Sequence, residues 1–162
     1  LFDIDPSPAL KLALASEYRL VNLTGNIELG FWQPVYITLL GDYVRNIGFN
    51  RNRVTRKTGD FDIKKEIEGY QVGLSVGHKR IQKFGDWELF FLYKRLEADA
   101  VLDAFTDSDF HGGGTNAKGW ILGGAFGLYK NIWLSGRWLT TDQIVGPPLA
   151  IDTLQLDLNL KF

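Results

Sequence analysis

Cysteine is missing from this chain, which excludes a disulfide scaffold and any thiol or zinc–thiolate chemistry while leaving the compartment open. Methionine is missing too, even at position 1, so a processed protein or part of a longer one is expected. No stretch approaches the 18 or so consecutive apolar residues of a membrane-crossing helix. A basic-then-apolar leader is not visible at the start. Charge of one sign is also lacking: 18 basic residues face 19 acidic ones, so the electrostatic footprint of a nucleic-acid binder is absent. What the 162 residues do hold is 18 Gly with 11 Phe, 6 Tyr and 5 Trp, a mixture suited to twisted, closely packed strands.

Period-2 alternation recurs along the chain. LQLDLNLKF at the end places Leu154, Leu156, Leu158, Leu160 and Phe162 on one strand face, and Gln155, Asp157, Asn159 and Lys161 on the other. Asn22, Thr24, Asn26 and Glu28 interleave with Leu23, Gly25, Ile27 and Leu29 in the same way. The pattern predicts seven strands at 17–30, 34–47, 69–79, 86–100, 117–130, 131–144 and 151–162, and no segment has a helical period. Connections alternate: short ones near 30–34, 78–86 and 130–131, longer polar ones at 48–68 and 101–116 together with the shorter, Pro-containing 145–150. Outer-membrane barrels sort their connections like this, with tight periplasmic turns and long outer loops.

Alternation suits a soluble sandwich or lipocalin-like barrel (apolar-in) and a membrane barrel (apolar-out) equally. Three features favour the second. Aromatics such as Trp87, Trp120, Trp138 and Phe162 near strand ends fit interfacial girdles. The polar faces carry Gly, Ser, Asn and Thr more than Lys and Glu, and the terminal strand stays patterned through Phe162. The expected fold is all-β, an antiparallel up-and-down transmembrane β-barrel with about seven to eight strands in this chain. Residues 1–162 then form one domain or the C-terminal portion of one, with 1–16 as a loop or an extra strand.

A patterned last strand closing on Phe resembles the signal by which bacterial outer-membrane proteins reach the barrel-assembly machinery. VYITLLGDYVRNIG (35–48), WELFFLYKRLEADAVLDAFTDSDF (87–110) and LQLDLNLKF (154–162) resemble the C-terminal half of the bacterial outer-membrane putative porin family. The likeness spans most of 17–162, and its most distinctive run is YKRLEADAVLDAFTDSDFHGGGTN. It implies a barrel larger than seven strands, a pore role and a bacterial outer-membrane location. Implied partners are outer-membrane lipids and lipopolysaccharide, the assembly machinery, a remaining N-terminal part of the barrel and, optionally, further copies of the chain. The strand count decides between an open pore and the alternative, a structural or binding barrel with a plugged interior.

By parity the channel-lining candidates are Asn22, Thr24, Asn26, Glu28, Asp42, Gln71, Ser75, Glu88, Lys94, Ser135, Arg137, Gln155, Asp157 and Asn159. Charges such as Asp42, Arg137 and Asp157 must face water or pair, because a cation facing lipid at mid-strand costs ~2–4 kcal/mol. The basic series Arg45, Arg51, Arg53, Arg56 and Lys57 suggests a solvated rim that meets lipopolysaccharide phosphates, or a loop folded inward as a positive constriction. The acids Glu97, Asp99, Asp103, Asp107 and Asp109 on the other long loop oppose a purely positive constriction. Catalysis is not expected: the two His, His78 and His111, fall at opposite ends of the strands, and no carboxylate is expected beside Ser75 and His78. Asp103, Asp107 and Asp109 lack the ligand spacing of a calcium loop, and no metal or cofactor is expected. Asn22-Leu23-Thr24 matches a glycosylation acceptor but falls inside a strand.

Overall fold

A computed structural model of the chain describes Leu14 and residues 16–162. Most of segment 1–16, expected as a loop or extra strand, therefore lies outside the described residues. Seven strands follow in order: β1 (Leu20–Trp32), β2 (Val35–Asn46), β3 (Glu68–His78), β4 (Trp87–Leu96), β5 (Ala117–Tyr129), β6 (Ile132–Gln143) and β7 (Ala150–Leu160). Each pairs antiparallel with the next, in the spatial order β1 to β7. The sheet is open: among the described residues, the outer edges of β1 and β7 pair with nothing.

The register turns the sequence alternation into two surfaces. One horizontal row reads Ile27, Leu39, Leu74, Phe91, Leu122, Trp138 and Leu154 from β1 to β7. All seven are large and apolar, and each is at least 42% exposed. The opposite face is polar at the β1 edge and carries Gly73, Gly119 and Gly123 further across. There the small apolar core forms, where Phe110 meets Ala117, Ile121 and Leu139, with Phe90 and Leu92 packed against it. A water-soluble sheet would bury the face that carries this wholly apolar row first; this one leaves the row bare and covers part of the polar face.

The structure departs from the expected elements at three points. An eight-residue helix, α1 (Arg51–Thr58), occupies a segment with no helical apolar stripe. The Asn50 side chain caps its N-terminus by accepting from Arg53 N–H at 3.0 Å, and Gly59 closes it in the left-handed conformation. The helix buries none of its residues, which is why periodicity misses it. Strand β4 stops at Leu96 rather than residue 100, because Ala100 turns inward to full burial and Asp99 C=O accepts from the Asn46 side chain. Trp138 stands in the middle row, not at a strand end; the aromatics above that row are Tyr43, Tyr70, Tyr93 and Trp120.

Candidate functional site

All fourteen residues read as channel-lining share one face of the sheet. The apolar set Trp87, Trp120, Trp138, Leu154, Leu156, Leu158 and Leu160 shares the other, and Phe162 lies past the end of β7, fully exposed. On the polar face, Asp42 is a hub. Its Oδ1 accepts from Asn22 Nδ2 at 2.9 Å and from Thr24 Oγ1 at 2.6 Å, and its Oδ2 from Gln71 Nε2 at 3.4 Å. A carboxylate that accepts several hydrogen bonds is thereby fixed in place.

The β4–β5 loop, residues 97–116, folds back over this face. Phe110 anchors it, 1% exposed among Ala117, Ile121 and Leu139. Flanking residues secure the anchor: Arg137 Nη2 donates to Asp109 Oδ2 at 2.8 Å, and His111 Nδ1 lies 2.9 Å from Thr141 Oγ1. The Lys94 ammonium sits 4.8 Å from the centre of the Phe110 ring, within cation–π range. Inside the loop, Thr115 Oγ1 donates to Asp103 Oδ1 at 2.8 Å, and Gly114 N–H donates to Thr106 Oγ1 at 2.8 Å. Gly112, Gly113 and Gly114 all have φ between +72° and +89°, so only glycine makes this reversal without strain. On the sheet beneath, Gly123 leaves space for the Phe90 ring to lie across its Cα.

An acidic loop, not the basic one, is thus the segment that turns inward. Arg51, Arg53, Arg56 and Lys57 stand on α1, which packs against no strand. Arg53 pairs with Glu17 at 2.6 Å, and Lys57 Nζ donates to Leu14 C=O at 2.8 Å. Glu17 is held below the ordinary carboxylate range chiefly by its hydrogen bond from Arg53. Arg45 pairs with Glu68 at 3.5 Å at the upper end of the apolar face. Asp103, Asp107 and Asp109 each turn to a different partner, and no three metal-ligating side chains converge among the described residues.

At the other end, the turn 79–86 is organised by Asp86. Its Oδ2 accepts from Gln82 N–H at 2.9 Å and Lys83 N–H at 3.0 Å, and its Oδ1 lies 3.7 Å from His78 Nε2. A carboxylate therefore does stand beside His78, contrary to the sequence reading. His78 Nδ1 faces the Trp87 backbone at 3.2 Å, and Ser75 is not among its partners, so the group clamps a turn and forms no triad. Burial of Asp86 with these backbone donors was invisible in the sequence; the only cue was an Asp directly after Gly85 at a strand start.

The sequence model of the family described as "Putative porin" matches residues 6–162. The chain belongs to the putative porin family. No curated protein and no solved structure matches it. Membership supports a porin-like role and a membrane location at a coarse level.

Proposed function

We propose that this putative porin chain forms wall of a transmembrane β-barrel in a bacterial outer membrane, through which small polar solutes or ions pass passively and without catalysis. One observation carries the reading: the wholly apolar row from Ile27 to Leu154 is bare, while the chain's own loop covers part of the polar face. Apolar-out and polar-in is the arrangement of a barrel in lipid. The fourteen polar-face residues then line the lumen, and loop 97–116 narrows it. The bare face meets lipid, α1 lies at the outer rim where its cations meet lipopolysaccharide phosphates, and Phe162 serves the assembly machinery.

A plugged barrel is the second reading, favoured by Phe110 and the Arg137–Asp109 pair, which fill part of the polar face. Against it, Asn22, Thr24, Asn26 and Glu28 stay exposed at the β1 edge. Planar-bilayer recording of the protein separates the two. Stepwise ion currents are expected; a silent bilayer with inserted protein would remove the channel reading and leave the plugged one.

A further inference from the structure

Between β1–β4 and residues 101–107 of the inward loop lies a cavity of about 270 Å³. Its floor is the row Asp42, Gln71 and Lys94, cross-strand neighbours on β2, β3 and β4. Its far side carries Asp107, and Val44, Val101 and Phe105 supply apolar wall. Adjacent strands stand about 4.8 Å apart, so Asp42 and Lys94 are separated by roughly 10 Å of backbone, with their side chains sharing the space between.

Arg95, also on the lining, is taken by Glu97 at 3.3 Å, and the remaining charges are not directly paired with one another. Asp42 is fixed by Asn22, Thr24 and Gln71, all neutral donors. Lys94 is half-buried and makes no ion pair among the described residues; its ammonium rests on the Phe110 ring with Asp107 and Asp42 in electrostatic reach. Asp107 Oδ1 accepts from Asp109 N–H, and its other oxygen has no partner among the described hydrogen bonds. A half-buried ammonium without a direct anionic partner is costly. A ligand carboxylate relieves that cost. A simple anion, however, would also face two carboxylates, and a simple cation would face Lys94.

We propose that the cavity is a binding subsite for small zwitterions: α-amino acids with a short apolar side chain. The ligand carboxylate meets Lys94, its ammonium meets Asp42 and Asp107, and its side chain lies against Val44, Val101 and Phe105. The subsite rests on the channel reading in one respect, since the solute reaches it from the lumen. It places a selective station behind the loop that Phe110 anchors.

Calorimetric titration of the full chain in detergent micelles tests this, with L-valine as probe and propionate and n-butylamine as single-charge controls. Valine is expected to bind at least about tenfold more tightly than either control. Lys94→Gln and Asp107→Asn should each weaken valine binding about tenfold, and Lys94→Arg should restore most of it. Asp107 is exposed on the loop, so its variant reports even where Lys94→Gln fails to fold. Butylamine binding as well as valine overturns the proposal in favour of a cation site, propionate binding as well overturns it in favour of an anion site, and no heat with valine ends it. Bilayer conductance of the same preparation reads the channel independently. Ion current without valine binding removes the subsite alone, and valine binding without current removes the channel alone.

Discussion

Phe110→Ala should release loop 97–116 from the polar face without unfolding the sheet. The side chain is 1% exposed and sits among Ala117, Ile121 and Leu139, so its removal takes away both transfer energy and packing. Truncating a buried Phe costs about 3–5 kcal/mol; the lower end applies here, because a loop can settle into part of the space. That loss falls on loop docking, since Phe110 belongs to no strand and makes none of the ladder hydrogen bonds. At about 1.4 kcal/mol per factor of ten, the open population should rise roughly a hundredfold. Hydrogen exchange reads this at Gly113 N–H, which donates to Phe110 C=O at 3.0 Å, and at Gly114 N–H. Phe105→Ala is the control: its ring is 80% exposed, and exchange should change by no more than about twofold, as for a surface substitution of ~0.5 kcal/mol. Single-channel conductance should rise with Phe110→Ala alone. If Gly113 exchanges at the wild-type rate in that variant, Phe110 is not the anchor and the account of the inward loop fails.

Gly119→Ala should destabilise the β5–β6 pairing by more than the ~1–3 kcal/mol typical of overpacking, because the new methyl group would meet the backbone of Thr140 and Thr141, which cannot swing away; an unchanged melting temperature in micelles would contradict the register. Asp86 is an acid held below its ordinary value of 3.8, first by the backbone hydrogen bond from Gln82, so its contribution is present above that value and lost as pH falls through the lower, folded one. Asp86→Asn should therefore lower the protection of turn 79–86 at neutral pH and flatten its acid dependence below about pH 4, measured by exchange at Gln82 and Lys83. Arg137→Glu should shift the reversal potential under a salt gradient toward cations while the barrel still assembles. Because Arg137 and Asp109 are 36% and 39% exposed, a double-mutant cycle should give a coupling of only about 0.2–1 kcal/mol. An unshifted reversal potential would place Arg137 outside the conducting path.

The strands were legible because a half-buried strand writes its two faces directly into alternate residues, and all seven follow that rule within a few positions. Loop length was legible too, but loop direction was not. Nothing local distinguishes a loop that stands up, as the one carrying α1 does, from one that folds back. The clue was Phe110, a single large apolar residue between Asp109 and His111, followed by three Gly that allow a reversal. Its receptor, Ala117, Ile121 and Leu139, is spread over two strands and comes together only in the folded register. The same holds for Asp42 with Asn22, Thr24 and Gln71, which come from three strands. Parity assigned each residue a face; cross-strand pairing decided its company.

The edges of β1 and β7, bare among the described residues, have a consequence for closure. Six successive reversals of direction leave the first and last of the seven strands pointing the same way. A seam made directly between them would be parallel, with slanted and slightly weaker hydrogen bonds. Two copies joined edge to edge about an axis along the pore would bring β7 of one against β1 of the other and meet the same parity. A cylinder antiparallel at every seam needs an odd number of additional strands between these two edges, giving the even total usual for bacterial outer-membrane barrels. On the barrel reading, whatever completes the wall enters it an odd number of times.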